Sequence, residues 1–265
     1  MKTSGKTWQA ALSIALILLS VFLTGMTNHL LPVTRGEGSG DYPPPAQGDW
    51  QIASDTLITD EDIEVSGNIT VAPGASLTLD NSALTINASD YGSAVIRVKN
   101  GGELYVINNS AITEGESGVN YDFVFENGSR GLIANSTIED CGWNDGGTYQ
   151  SSGGILIVSD NVTIENSAIQ NCYIGIMVYN SSPEIRYNTI KDNQKQGITI
   201  ISSSPSITGN EIATTPVGVY AIYSEVTFID NEVKDNGDGM VLYYSVIDIT
   251  GGKITSNSRE DCTTG

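Results

Sequence analysis

Few residues in this chain combine a reactive type with a telling position. Glu114 and Asp140 each stand seven residues beyond an apolar position, Ile107 and Ile133. A fold that laid those positions side by side would bring the carboxylates close enough to share a hard cation. Ca2+ is the fitting ion, since it takes oxygen ligands, about six to eight of them. The stretch "DNGDG" (235–239) hints at a calcium loop but lacks a full ligand series, and turn-favouring Asp and Asn explain both features without a metal. A second group lies in "CGWNDGGTYQSSGG" (141–154), where Trp143, Asp145 and Tyr149 offer aromatic faces and a carboxylate that could grip a sugar. The other reading is a turn whose Trp folds back as a lid. Cys141 and Cys172 are the remaining reactive pair; Cys262 has no evident partner.

The elements that must position these groups show in a repeat. From residue 79, an apolar residue is followed five positions later by another: Leu79/Leu84, Ile107/Ile112, Ile133/Ile138, Ile164/Ile169, Ile185/Ile190, Ile207/Ile212, Phe228/Val233 and Ile249/Ile254. Successive starts differ by 28, 26, 31, 21, 22, 21 and 21 residues, a period that belongs to solenoids. Short alternating bursts such as "GITI" (197–200), "GVYA" (218–221) and "GMVL" (239–242) read as strands, not helices. Stacked laps would form parallel sheets ~4.8 Å apart with Ile and Val inside.

Stacking turns sequence columns into ladders. Ser167, Asn188, Asn210 and Asn231 share one column; Asn193, Asn236 and Asn257 belong to another, along with Cys141 and Cys172. An Asn in such a file can bond the copy above, the copy below and the local backbone. These asparagines therefore read as architecture. The Gly before each apolar pair is expected to serve a bend with unusual backbone angles. Adjacent-coil spacing lies within disulfide limits, so Cys141 and Cys172 read as a disulfide or as stacked buried thiols. The step of 31 leaves about nine residues beyond a normal coil, which should protrude around Trp143. Alternation also places Leu156, Met177, Tyr179, Ile201, Tyr220 and Tyr243 outside, as an apolar stripe that is either an interaction surface or covered by a linker or loop.

The pattern apolar-x-x-Asn-x-apolar-x-x-Asn, then Gly-apolar-x-apolar, resembles the right-handed parallel β-helix repeat of pectate-lyase-like proteins and of carbohydrate-binding and sugar-hydrolase surface proteins. It covers about residues 79–257, and "GNITVAPGASLTLDNSALTI" (67–86) is similar to the first coils of such proteins. The resemblance implies an all-β, single-stranded solenoid of about eight or nine coils and a polysaccharide as partner. A β-sandwich is the competing fold, and the steady period counts against it. The fold is nearly silent on activity. Polygalacturonase-like members imply an Asp cluster with Gly-His-Gly; the sole histidine here is His29, so that pattern is absent. Lyase or epimerase members use Ca2+-binding carboxylates with a proton-transferring residue, which keeps a Ca2+-assisted lyase or uronate epimerase open.

Lys2 and Lys6 precede "WQAALSIALILLSVFLTGM", so residues 1–27 read as a signal peptide or N-terminal hydrophobic anchor helix. Residues 28–50 form a Gly/Pro-rich linker containing "TRGEGSGDYPPPAQGD" (34–49), and 51–265 the β-helix. The chain should face the outside of the cell, touching membrane only through its N-terminal segment. Sequons at Asn68, Asn87, Asn108, Asn127, Asn135, Asn161 and Asn180 fit a surface glycoprotein, though Asn-, Ser- and Thr-rich chains make such triplets by chance. A net charge of −19 with only 12 Lys and Arg argues against nucleic acid. The tail "SREDCTTG" shows no closing strand, so the last coil should be uncapped and open to self-association. The readings left are a non-catalytic glycan-binding or envelope module, a Ca2+-assisted lyase or epimerase, and a structural or adhesive surface protein.

Overall fold

In the computed structural model, which describes residues 41–115, 118–144 and 153–264, each repeat closes one lap of chain built from three short strands. The strands stack in parallel into sheets of ten, nine and nine members, here called A, B and C in the order the chain visits them. Nine complete coils run from Trp50 to Thr255. Like side chains lie over like. Ile164, Ile185, Ile207 and Phe228 follow one another in sheet B. Ile169, Ile190, Ile212 and Val233 do so in sheet C, and Ile176, Ile198, Val219 and Met240 in sheet A. All these columns are buried and form one continuous core. The short strands alternate inward and outward, so each lap feeds only a few side chains inward; stacking gives them neighbours above and below.

What bends the chain at most corners is a left-handed residue. Between sheets B and C it is Asn166, Tyr187 or Asp230; between C and A it is Asp140, Asn171, Asp192, Thr214, Asp235 or Ser256; between A and B it is Asn180, Ser202, Tyr223 or Tyr244. Asn and Asp suit such positions because short polar side chains tolerate φ near +50° to +60°. Asp140, one of the two carboxylates read as a possible cation pair, is thus a corner residue. Glu114 is not among the left-handed residues.

The glycines before the apolar pairs do a different job from the one their sequence suggested. Gly175, Gly197 and Gly218 do not have left-handed φ. A Cβ on each would press within 2.6, 2.7 and 2.6 Å of the carbonyl oxygen of the glycine in the next coil. Close approach between coils, not an unusual angle, requires them.

Immediately after each corner residue comes a ladder residue. The Ser136 amide donates to Ser167 Oγ at 3.1 Å, Ser167 to Asn188 Oδ1 at 3.0 Å, Asn188 to Asn210 Oδ1 at 2.9 Å and Asn210 to Asn231 Oδ1 at 2.8 Å. At the C-to-A corner, Cys172 donates to Asn193 Oδ1 at 3.0 Å, Thr215 to Asn236 Oδ1 at 3.0 Å and Asn236 to Asn257 Oδ1 at 3.1 Å. A third file, Ser181, Ser203, Ser224 and Ser245, runs along the A-to-B corner. The amides of these ladder residues thereby find side-chain acceptors in the next coil.

The ends differ. Within the described part of the predicted linker, Asp41 and Tyr42 are tied to the first coil through Trp50 Nε1, Ser54 Oγ and Glu61. At the other end the expectation of no closing strand is corrected. Cys262–Thr264 pairs with Met240–Leu242 and adds a tenth strand to sheet A. Its pairing uses backbone groups alone, so no apolar motif announces it; Arg259 holds the approach through Asp238 at 3.0 Å. Sheets B and C end on Val246–Thr250 and Lys253–Thr255, and Ile249 of the interior column is 46% exposed there. The predicted leader, residues 1–27, lies outside the described residues. Among the described residues no helix is long and apolar enough to cross a membrane.

Candidate functional site

The sequence irregularities converge on one corner. Connections from sheet C to sheet A run over 87–94, 115–121 and 140–154 in three successive coils, where later coils use only 192–195, 214–216 and 235–237. The steps of 28, 26 and 31 are therefore neighbouring elaborations of one edge of the solenoid, and the two smaller ones carried the missed signal.

Trp143 reaches from the third connection back to the first. Its ring lies 6.1 Å from that of Tyr91 with the planes 26° apart. Gly92, at φ +74°, makes room: a Cβ there would sit 3.0 Å from Trp143 Cζ2 and 3.1 Å from its Nε1. The middle connection is clasped as well, with Asn120 Nδ2 donating to the Gly142 carbonyl at 2.9 Å and the Gly142 amide to the Tyr121 carbonyl at 2.8 Å. Tyr121 is fully buried and donates its hydroxyl to the Glu139 carbonyl at 3.0 Å; burial pushes its phenol well above the ordinary range. Of the aromatic–acidic trio in the long connection, Trp143 is positioned in this way, while Asp145 and Tyr149 lie outside the described residues. The Trp folds back, and it brings along a tyrosine that sequence reasoning did not name. Tyr91 remains 52% exposed.

Among the described residues, Trp143 Nε1, a donor, and Glu114 Oε2, an acceptor, are buried at this corner without a hydrogen-bond partner. Burial pushes the Glu114 carboxyl above its ordinary value, and the charge of Asp140 adds to the shift; the amides of Val119 and Gly118 pull the other way. Asp140 is also raised, chiefly by burial, against a hydrogen bond from Thr113 Oγ1 at 3.0 Å. Glu114 thus senses the charge of Asp140 on the neighbouring coil, while the charge that raises Asp140 is that of Glu139 beside it. As a cation site Glu114 and Asp140 supply little: among the described residues no group of three or more His, Cys, Asp or Glu side chains converges, and Asp140 already serves Thr113. Two carboxylates fall short of the oxygen shell that Ca2+ takes.

Directly behind this corner, Cys141 and Cys172 are buried with their sulfurs 3.1 Å apart and no bond between them. The expected apolar stripe on the outside of sheet A is buried in the middle coils, where Val124, Leu156, Met177 and Ile201 form a second cluster. Farther along, the surface opens into tyrosines. Tyr223 and Tyr244 stack at 5.2 Å and 9° on the A-to-B corner, 61% and 73% exposed, and Tyr220 meets Tyr243 at 5.9 Å. Their signal was the residue before each corner serine, a file the apolar frame did not include.

The model of the right-handed β-helix region matches residues 67–225, more than half of the chain. The chain belongs to the right-handed β-helix family. No curated protein sequence matches it. Among solved structures it is similar to the A-module of mannuronan C-5 epimerase AlgE6 from Azotobacter vinelandii, at 10% identity and a TM-score of 0.24, over 84% of this chain and 89% of that one. A likeness that loose carries no argument about activity.

Proposed function

We propose that this protein is an exported, surface-facing β-helix that binds polysaccharide non-catalytically at the elaborated C-to-A corner. The observation that carries the reading is the stacked Tyr91–Trp143 pair, whose Tyr91 member is half exposed on this corner. A sugar ring has the matching chemistry. Its C–H face lies flat on an aromatic ring, and its hydroxyls both donate and accept. A net charge of −19 disfavours polyanionic chains and so points to an uncharged glycan.

The test is a panel of neutral and acidic polysaccharides presented to the full chain, with far-UV circular dichroism as the folding control. Binding to a neutral glycan should weaken about tenfold or more, ~1.4 kcal/mol, in Trp143→Ala and in Tyr91→Ala. Tyr223→Ala with Tyr244→Ala should leave it unchanged. Loss only in the Tyr223/Tyr244 variant, or no glycan bound at all, defeats the assignment of this corner.

A further inference from the structure

We propose that Cys141 and Cys172 are the site of an oxidative crosslink, a disulfide that rivets the two coils flanking the 140–154 connection. The pair occupies ladder positions, and its defect is informative. At three other places in this file an amide oxygen accepts the N–H of the preceding coil, as Asn193 does for Cys172 at 3.0 Å. The Cys141 N–H instead finds only Cys172 Sγ at 3.5 Å, a poor acceptor. The chain thus gives up a good ladder bond where its longest connection departs.

The geometry is already set. The sulfurs approach to 3.1 Å, inside van der Waals contact for two sulfur atoms, and the Tyr173 N–H donates to the Cys141 carbonyl at 2.9 Å, which fixes the two backbones beside each other. Adjacent coils stand ~4.8 Å apart, and disulfides bridge Cα atoms about 4.4–6.8 Å apart.

The chemistry is thiol–disulfide exchange with a small-molecule or oxidoreductase disulfide as oxidant. One cysteine thiolate attacks the oxidant's disulfide, forming a mixed disulfide and expelling one thiolate. The second cysteine thiolate then attacks the protein sulfur of that mixed disulfide, closing Cys141–Cys172 and expelling the other thiolate. Two protons leave the protein thiols, and two electrons pass to the oxidant, which becomes two thiols. Both sulfurs are fully buried in the finished fold, and burial beside Cys172 holds the Cys141 thiol protonated. Exchange therefore takes place while the fifth coil is still undocked, and the closed bond is afterwards shielded from reductant. Exposed Cys262, at the far end of the solenoid, stays out of it.

The experiment is to refold the full chain in oxidised/reduced glutathione and, separately, in excess dithiothreitol, then alkylate in denaturant and weigh it. The expected result is one alkylated cysteine after oxidative refolding and three after reductive refolding, with a peptide map joining Cys141 to Cys172. Cys262→Ser should show none and two. The oxidised protein should resist dithiothreitol in native buffer and yield to it in denaturant. Three alkylated cysteines after oxidative refolding, or crosslinks running through Cys262, would overturn the proposal. None of these readouts requires a variant at Cys141 or Cys172 to fold.

Discussion

Replacing Asn210 by Leu tests whether the amide file holds the solenoid together. Asn210 Oδ1 accepts from the Asn188 amide and from Asn188 Nδ2, each at 2.9 Å. Its own Nδ2 donates to the Ile185 carbonyl at 2.8 Å, to Thr208 at 3.2 Å and to Asn231 Oδ1 at 2.9 Å. Leu fills a similar volume but leaves the buried Asn188 N–H with no acceptor, about 1–3 kcal/mol, and deletes the other bonds at about 1 kcal/mol or less each. The sum is roughly 3–5 kcal/mol. Ser should do better, and the protein itself shows why: Ser167 accepts the Ser136 amide at 3.1 Å and donates to Glu165 two residues back at 2.7 Å. Asn210→Ser keeps those two functions and loses the bonds to Asn188 Nδ2, Ile185 and Asn231, about 1–2 kcal/mol. Guanidinium unfolding followed by tryptophan fluorescence and circular dichroism ranks the three proteins. Hydrogen exchange at the Asn188 amide gives a local readout, with the Leu variant exchanging fastest. Equal stability of Leu and wild type, or of Leu and Ser, refutes the account.

Gly131 and Phe125 should couple in a double-mutant cycle. A Cβ on Gly131 would lie 2.3 Å from Phe125 Cε1, so Gly131→Leu alone overpacks the fourth coil and Phe125→Val alone leaves a cavity, each costing about 1–3 kcal/mol. Together they recreate the pattern of the coil before, Val98 and Leu104, and chemical denaturation should recover about 1 kcal/mol or more over the sum of the single changes. Glu114→Gln should raise the melting temperature at neutral pH but not at pH 4. A carboxyl whose folded pKa is raised takes up more protons when folded, so its ionisation erodes stability as pH climbs above its ordinary 4.5. Closure of Cys141–Cys172 spans 31 residues and should add about 3–4 kcal/mol by loop-closure entropy, seen as a higher melting temperature of oxidised over reduced protein.

The interior could be read from the sequence because close packing imposes one side chain per place in every lap. Ile164, Ile185 and Ile207 repeat since each meets the previous copy, and Asn188 and Asn210 repeat since each answers an amide of the coil before. No such pressure acts at corners or outside. A left-handed residue precedes most ladder positions, but Asn171, Asp192, Thr214 and Ser256 all meet the need, so residue type there is loosely constrained. The glycines before the strands repeat faithfully for a reason invisible in one lap, the carbonyl of the lap above.

The tyrosines at corners turn this logic toward function. Tyr187, Tyr223 and Tyr244 hold φ of 56°, 52° and 48°, a conformation that costs a bulky residue about 1–2 kcal/mol and that Asn or Gly would adopt more cheaply. Burial does not offset it, since all three rings are largely exposed. Stacking of Tyr223 on Tyr244 returns about 0.5–1.5 kcal/mol at that corner; Tyr187 has Gly209 beneath its ring and no aromatic partner among the described residues. Tyr187→Asn should therefore leave thermal stability equal or higher. A fall of more than a few degrees would mean that the ring over Gly209 contributes packing that its exposure hides.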